Sequence, residues 1–424
     1  MTAPTAGNDL ATWLRYLETL HPRAIDLGLD RVRAVWQRLG SPRPAPICII
    51  VGGTNGKGST VAFLTAMLAA AGYRVGNYTS PHLLRYNERV RLPGRDATDA
   101  ELVAAFAAME AARDEISLSY FEFGTLAAFM VLAQAGLDVA VLEIGLGGRL
   151  DAVNLIDGDA AILTSVDLDH QEYLGPDRER IGWDKAHIFR RNRPAVIAVV
   201  DPPYTVLDVA AEIGVAIHRL PELAEPAGGG WYCPLPDGSE MALPLPQLKA
   251  PRQRRNAAAA IWAWWLLGPR LPFLPQAAAI GVGTACVRGR LEKLPRNIET
   301  LADVAHNPEA ARELADWMQR NPRPCNVAVF AALADKDLLG IVAPLARAFD
   351  AWIVVDLVAA TPRAARPDEQ AAAVRSYLPA TIPVTTSPDV SSALHAADAI
   401  AGDYGRVLAF GSFFTVAAVL GAVA

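Results

Sequence analysis

A chain of 424 residues has room for two or three domains, and its 52% apolar content can fill a core in each. A net charge of -6 argues against a general nucleic-acid binder, which needs a basic surface, and suits a protein that acts on small molecules. The four cysteines, Cys48, Cys233, Cys286 and Cys325, form no Cys-x-x-Cys pair, which argues against a zinc site or a disulfide framework and for a reducing compartment.

Met1 to Leu20 has no basic segment leading into an apolar run and does not read as a signal peptide. Leu10, Trp13, Leu14 and Leu17 are spaced as on a helix, and Ile25 to Val32 reads as a turn entering a second helix, to be explained by ordinary packing. The apolar run Ile47 to Ile50, with Cys48 inside it, predicts a buried strand. Val51 to Thr60, with the sequence VGGTNGKGST, follows it and leads into an Ala-rich helix over Val61 to Ala71. Strand, glycine loop and helix are the context of a phosphate-binding loop. The glycines admit close backbone approach, the first helical N–H groups face the anion, Lys57 adds positive charge, and Ser59 or Thr60 offers a hydroxyl. The spacing is unusual: three residues separate Gly52 from Gly56, and Gly58 stands after Lys57 where Ser or Thr is common.

A strand over Tyr73 to Asn77 places Ser80 and His82 near its carboxyl end, where open parallel sheets bind ligands. Asn87 to Arg91 reads as an edge segment, Thr98 to Arg113 as a helix capped by Thr98, and Phe121 to Ala135 as a buried helix. Asp138 to Glu143 predicts a central parallel strand ending in a carboxylate, a common Mg²⁺ partner beside a phosphate loop. The competing reading pairs Glu143 with an arginine such as Arg149. A strand over Ala160 to Val166 ends in Asp167-Leu168-Asp169-His170, at the same ligand-binding edge. Lys185, on a helix over Ile181 to Arg190, looks by itself like a solvated residue.

Strands and helices then alternate through Ala195 to His218, implying a parallel α/β sheet. Gly228 to Leu245 carries a hairpin signal, read as a small β addition to the main sheet, before a helix from Gln253 to Leu267. The proline-rich stretch Gly268 to Pro275 marks a boundary region, with the domain break near Arg288. Beyond it, strands at Ile298–Asp303, Asn326–Leu333, Trp352–Asp356, near Val384 and at Val407–Gly411 alternate with helices, the first over Pro308–Asn321 and the second over Lys336–Phe349. This predicts a second, Rossmann-like domain without a Gly-x-Gly-x-x-Gly turn. Asn307 and Pro308 suit a helix start, whereas Asp303 and His306 have no evident structural job. Phe413 to Ala424 is apolar but too short to cross a bilayer and reads as a packed terminal helix.

Several stretches together resemble the folylpolyglutamate synthase family, most closely its bifunctional dihydrofolate synthase/folylpolyglutamate synthase members. They are Gly53 to Ser59, Thr79 to Arg85, Leu142 to Asp151, Asp169-His170, Lys185 to Arg190, Asp303 to Pro308 and Ala334 to Asp337. The family is related to the Mur ligases. The resemblance implies an α/β protein: an N-terminal P-loop ATPase domain over 1–287 with a parallel central sheet and a pterin/folate pocket, and a C-terminal Rossmann-like domain over 288–424 that closes the active-site cleft. It implies that ATP activates a carboxylate as an acyl phosphate, that the amine of L-glutamate attacks, and that ADP and phosphate leave. Dihydropteroate and reduced folates are the implied acceptors of glutamate, and a cytoplasmic monomer is the implied form. The rival readings are a folylpolyglutamate synthase only, a Mur-type peptidoglycan-precursor ligase, and a P-loop ATPase switch.

Carried over by motif, Thr54, Asn55, Gly56, Lys57, Gly58 and Ser59 should hold ATP phosphates, and Asn256, Arg290 and Asp303 should contact the nucleotide with His306 beside them. Ser80 and Glu143 should ligate one Mg²⁺, with Glu143 and His170 serving a second. Ile25, Asp26 and Leu27, the run Ser119, Tyr120, Phe121 and Glu122, and Leu150, Asp151 and Ala152 should form the pterin pocket. Lys185 matches a lysine that this family carboxylates, which reverses its solvated reading, because a carbamate is anionic where a bare ammonium would repel Mg²⁺. Lys57, Glu143, His170 and Lys185 are the implied catalytic set. The sequence departs from the family at His187, where Gly is usual, at Phe414, where His is common, and at Val287 to Arg290, in place of Pro-Gly-Arg.

Overall fold

A computed structural model describes residues 3–23, 25–224 and 229–423. Met1, Gly228 and Ala424, each at an end of a stretch read above, lie outside the described residues. The chain divides into two compact units, the first comprising Met1–Val166, His170–Gln247 and Arg254–Ala285, the second Asp167–Asp169, Leu248–Gln253 and Cys286–Ala424.

Among the described residues the first unit is built on an eight-stranded sheet. Its strands are β1 Ile47–Gly52, β2 Val75–Tyr78, β3 Val90–Leu92, β4 Arg95–Asp96, β5 Val139–Glu143, β6 Ala160–Leu163, β7 Pro194–Ile197 and β8 Ala216–Arg219, in the order β4-β3-β2-β5-β1-β6-β7-β8. All pairings are parallel except those of β3 and β4 at one edge. β1 is central, paired with β5 on one side and β6 on the other, and every residue of it is buried. That is the environment its uninterrupted apolar sequence demands. Because strands alternate with covering helices, the carboxyl ends of β1, β2, β5 and β6 form one edge, which is where the functional motifs fall.

The helix Asp99–Arg113 is capped as expected: Thr98 accepts from the amide of Glu101, and Glu101 answers with a bond from the amide of Thr98. The helix Arg178–Ala186 starts three residues before its sequence expectation, because Asp177 caps it by accepting from the amide of Arg180 at 2.8 Å. The proline-rich stretch conceals a further helix, Pro275–Thr284, with Pro275 as its first residue. It lies so close to the phosphate-loop helix Lys57–Ala70 that a Cβ on Gly281 would sit 2.4 Å from the backbone of Met67.

The hairpin of β9 Gly230–Pro234 and β10 Glu240–Pro244 is a separate two-stranded sheet, not an addition to the main one. Side chains anchor it instead: Trp262, on the helix Gln253–Leu266, donates its indole N–H to the carbonyl of Pro234 at 2.6 Å.

The second unit carries a six-stranded sheet among the described residues, in the order β11-β12-β16-β13-β14-β15. Its strands are β11 Glu292–Lys293, β12 Glu299–Asp303, β13 Asn326–Phe330, β14 Ala351–Val355, β15 Val384–Ser387 and β16 Arg406–Phe410, parallel apart from β11. Phe330, Phe349, Trp352 and Phe410 interlock at its core. The helix expected over Lys336–Phe349 is shorter, Leu338–Leu345: Asp337 caps its start through the amide of Gly340, and its last turn gives way to a 3-10 turn over Ala346–Ala348. The four cysteines are unbonded, with Cys48 and Cys233 buried. No helix among the described residues is long and apolar enough to cross a membrane.

Candidate active site

The phosphate loop leaves the central strand and turns into the helix Lys57–Ala70 through two left-handed glycines. Gly53 has φ 145° and Gly56 has φ 86°. Neither tolerates a side chain: a Cβ on Gly53 would stand 1.9 Å from the hydroxyl of Thr164, and one on Gly56 2.7 Å from Oδ1 of Asn256. Thr164 donates its hydroxyl to the carbonyl of Asn55 at 2.7 Å, and the amide of Asn55 donates to Oγ of Ser165 at 2.9 Å. The loop is thus fixed from below by the residues that follow β6. Thr54 and Ser59 are buried within it. The hydroxyl of Thr60 donates to the carbonyl of Gly56, so of the two hydroxyls considered, that one is committed to the helix backbone. Lys57 folds its ammonium back onto the carbonyls of Gly53 and Thr54, 3.1 Å from each. It caps the loop at the place where an anion's charge would be received.

Glu143 ends β5 directly beside Val51 of β1. Its carboxylate accepts from the amide of Ser80 at 3.4 Å, and a Cβ on Gly58 would lie 3.6 Å from it. Ser80, Glu143 and the first turn of the loop helix therefore converge. A serine hydroxyl and a carboxylate are hard oxygen donors, which fit Mg²⁺. Arg149, the alternative partner for Glu143, is paired instead with Asp184 at 3.7 Å. Among the described residues no three His, Cys, Asp or Glu side chains are gathered as a metal cluster. His170 heads the short helix Gln171–Leu174 with a left-handed φ of 50°. Asp169, just before it, receives the ammonium of Lys336 at 2.7 Å and the amide side chain of Asn307 at 3.2 Å.

Lys185 is only 4% exposed, which rules out a solvated helix residue. Its Nζ donates to the carbonyl of Gly53 at 3.1 Å, so it belongs to the underside of the phosphate loop. His187, two residues on, donates from Nδ1 to the carbonyl of Trp183 at 2.7 Å and packs edge-on against the Trp183 ring.

The residues matched to the pterin pocket are joined by one the sequence reading overlooked. Arg31 spans Asp26 and Glu122, 2.8 Å from a carboxylate oxygen of each, and Asp26 also meets His21 at 3.0 Å. Ile25 and Leu27 flank Asp26 in the half-buried segment before the helix Asp30–Arg38. The turn there is more than ordinary packing, since it holds a charged network against Glu122. Ser119 and Glu122 form the capping box of the helix Tyr120–Gln134, so both also have a purely structural duty. Phe121 fills the space above Gly145, and Arg89 lies over the rings of Tyr86 and Tyr120 at 5.2 and 5.8 Å. Asp151, beside Leu150 and Ala152, is buried and accepts from the amides of Leu146 and Val153. Burial drives its carboxyl up to about 7, with those amides and Lys57 pulling only part of the way back.

In the second unit Asp303 ends β12 and has the structural job that its sequence did not reveal. It accepts from the amides of Leu291 at 2.8 Å and Ala305 at 3.0 Å, closing the turn. Burial raises its pKa, while the Arg290 guanidinium opposes the rise. His306 approaches Asp169 at 3.6 Å and packs against Phe413, and burial lowers its pKa. Arg290 lies 5.9 Å from the centre of the Phe413 ring. Asn256 belongs to the first unit, beneath Gly56. Phe414 is partly exposed.

Residues 289–413 match the family model described as Mur ligase, glutamate ligase domain. The chain is 42% identical to the Escherichia coli dihydrofolate synthase/folylpolyglutamate synthase, over 98% of this chain and 96% of that protein. It is 39% identical to the Haemophilus influenzae protein of the same name, over 97% of each. The chain belongs to the dihydrofolate synthase/folylpolyglutamate synthase family. It therefore has the two α/β domains of an ATP-dependent ligase of that family. The E. coli FolC structure in complex with DHPP and ADP superposes with a TM-score of 0.93 at 42% identity, covering 99% of this chain and 98% of that one. A bifunctional folylpolyglutamate synthase/dihydrofolate synthase solved with Mn, AMPPNP and L-glutamate bound gives 0.90 at 42% identity, covering 99% of each.

Missed by the sequence reading were Arg31, Thr164 and Ser165. The last two carried a signal, a Thr-Ser pair at the carboxyl end of a central strand. Arg31 carried none, because a single arginine at the start of an amphipathic helix is an ordinary surface pattern.

Proposed function

We propose that this chain joins the amine of L-glutamate to the carboxylate of dihydropteroate, forming dihydrofolate, and to the terminal glutamate of reduced folates, using ATP. The observation that carries the proposal is the convergence of the phosphate loop, Ser80 and Glu143 on one sheet edge, in a chain alike over its full length to a ligase solved with nucleotide, Mn and glutamate. In this reading residues 1–287 form the ATPase domain with the pterin pocket, and residues 288–424 contribute Arg290, Asp303 and His306 to the nucleotide. A cytoplasmic monomer is part of the same proposal.

The roles follow from the local chemistry. The amides of Thr54 to Ser59 receive the phosphates at the head of the helix, while Lys57 exchanges its contacts with the loop carbonyls for phosphate oxygens. Ser80 and Glu143 would hold one Mg²⁺, and Glu143 with His170 a second. When bound, these ions would neutralise charge on the transferring phosphoryl group. Asp26, Arg31 and Glu122 order the polar end of the pterin pocket, with Phe121, Tyr120 and Ala152 as its apolar wall and Ser119, Leu150 and Asp151 fixing the backbone around it. Carboxylated Lys185 is part of the proposal: replacing an ammonium by a carbamate at the base of the loop puts an anion where a cation would oppose metal binding.

The test is glutamate-dependent ADP release with Mg²⁺-ATP, offering dihydropteroate and tetrahydrofolate separately. Release with both is expected. Release with tetrahydrofolate alone removes the synthase half, release only with a UDP-linked sugar peptide makes the chain a Mur-type ligase, and glutamate-independent hydrolysis makes it an ATPase switch.

A further inference from the structure

The opposite edge of the same sheet holds a feature that shares no residue with those proposed above for glutamate ligation. A pocket of about 560 Å³ opens there, lined by Arg43, Arg190, Arg191, Arg193 and Arg270 with Asp157, Asp159, Pro46 and Gly158. Its position follows from the topology. Arg43 and Pro46 precede β1, Asp157 to Asp159 precede β6, and Arg190 to Arg193 precede β7, so these lie at the amino ends of parallel strands, and Arg270 joins them from the turn after the helix Gln253–Leu266. β1 is six residues long, which puts the pocket roughly 20 Å from the phosphate loop.

Five guanidiniums face two carboxylates, a surplus of three positive charges in a chain whose net charge is -6. The internal pairing is concentrated on Asp159. It is buried, and it accepts from the amide of Cys48 at 2.9 Å, from Arg43 at 2.7 Å and from Arg270 at 2.7 Å, with Arg193 at 3.6 Å. Arg190 is held by Asp157 and by the carbonyl and side chain of Asn154. Burial works to raise the Asp159 pKa, but the Cys48 amide and the arginines outweigh it and the net direction is down. One ionised carboxylate thus positions three arginines and neutralises one of them. Arg43, Arg193 and Arg270 keep 42%, 48% and 46% of their side-chain surface, so their remaining N–H groups are open to a ligand.

We propose that this pocket is a second anion site, which takes a compact polyphosphate group such as pyrophosphate or triphosphate. Guanidinium forks match phosphate oxygens two at a time, and Arg stays charged at every relevant pH. Among the described residues no aromatic side chain lines the pocket to stack a base, so the phosphate chain itself, not a nucleoside, is what it recognises. The volume falls within the range of small-molecule sites, about 300–1,000 Å³. The surplus charge is packed tightly, which favours an anion of matching charge density over an extended chain of carboxylates.

The probe is inorganic triphosphate, titrated calorimetrically into the full chain. We expect a site whose affinity falls at least tenfold in Arg191→Ala/Arg193→Ala, chosen because Arg193 makes the longest of the three Asp159 pairings and Arg191 is not among them, and changes less than twofold in Lys57→Ala. Affinity lost in Lys57→Ala and retained in the arginine variant would assign all binding to the phosphate loop and overturn the proposal. So would absence of triphosphate binding, or arginine-dependent binding of a γ-linked glutamate tetramer in its place. Melting and ADP affinity report whether the double variant is folded; if it is not, Arg191→Glu, which leaves every Asp159 contact intact, is read by the same criteria.

Discussion

At the carboxyl edge of the eight-stranded sheet, polar groups are buried or half-buried and mostly met by backbone. Thr164, Ser165 and Asn256 hold the loop, Lys57 and Lys185 rest on its carbonyls, and Glu143 meets an amide. At the amino edge the charges are many, half exposed and paired with one another around Asp159. The two edges share the same strands yet are built for different tasks. Backbone donors do not titrate and move little, so they suit a site that must hold a reacting phosphate in register. Long arginine side chains around a buried anchor can adjust, which suits capture of an anion without chemistry. Damage at the first edge should therefore appear in rate, and damage at the second in stability or binding.

The largest effect belongs to Lys57→Ala. It removes the ammonium that lies on the carbonyls of Gly53 and Thr54 at the head of the loop, and kcat/KM for glutamate-dependent ADP release should fall by about 10³ with the fold retained. Circular dichroism and melting give the control. An activity loss under tenfold would mean that the loop does not carry the transferring phosphate, and the contrast between the edges would collapse.

Lys185→Ala comes next, with an expected loss of about 10² in kcat. Short carboxylic acids added to the assay should restore part of it, because they can supply the anion that a carbamate provides. Full activity without rescue, or a loss that no acid restores, contradicts the carbamate. The second outcome would leave Lys185 as an ammonium that braces Gly53.

A smaller effect separates titrating from non-titrating groups within the first edge. Asp151 has a folded pKa raised to about 7 by burial. Between its unfolded value, about 4, and 7 the folded state holds a proton that the unfolded state has released, so stability is lost as pH rises through that window. Asp151→Asn removes this dependence. Urea unfolding at pH 5 and pH 7.5 should show the wild type losing about 2 kcal/mol more than the variant between the two. Glu313, raised to about 7 by burial, contributes to both proteins alike and cancels in the comparison.

How much of this was legible in the sequence depends on the kind of signal. Buried parallel strands announce themselves by apolar runs, so β1, β5 and β6 and their ligand edge were readable, as were the helix caps at Thr98 and Asn307. The helix Pro275–Thr284 was not, because prolines precede it and its small residues, packed against Met67, lack a polar face. Motif residues such as Ser80, Glu143 and Lys185 could be named from resemblance, but the burial of Lys185 under Gly53 is a tertiary fact. Arg31 was silent for the same reason: its partners Asp26 and Glu122 lie 5 and 91 positions away. The arginine pocket is assembled from segments between Arg43 and Arg270, and no local spacing could disclose it.

The smallest effect on rate, and the sharpest on the contrast, comes from Asp159→Asn. The substitution keeps the shape but removes the charge that Arg43, Arg193 and Arg270 share. Those arginines are half exposed, so water meets part of the loss. We expect a stability decrease of about 1–2 kcal/mol, below the cost of breaking a fully buried pair. Ligase kcat should stay within twofold, since the site is far from the phosphate loop. Triphosphate affinity should move the other way and tighten by about threefold or more, because the pocket gains a net positive charge. A structural salt-bridge cluster predicts the stability loss alone. Only an anion site predicts that a destabilising mutation improves binding, and measuring both quantities on one variant separates the two.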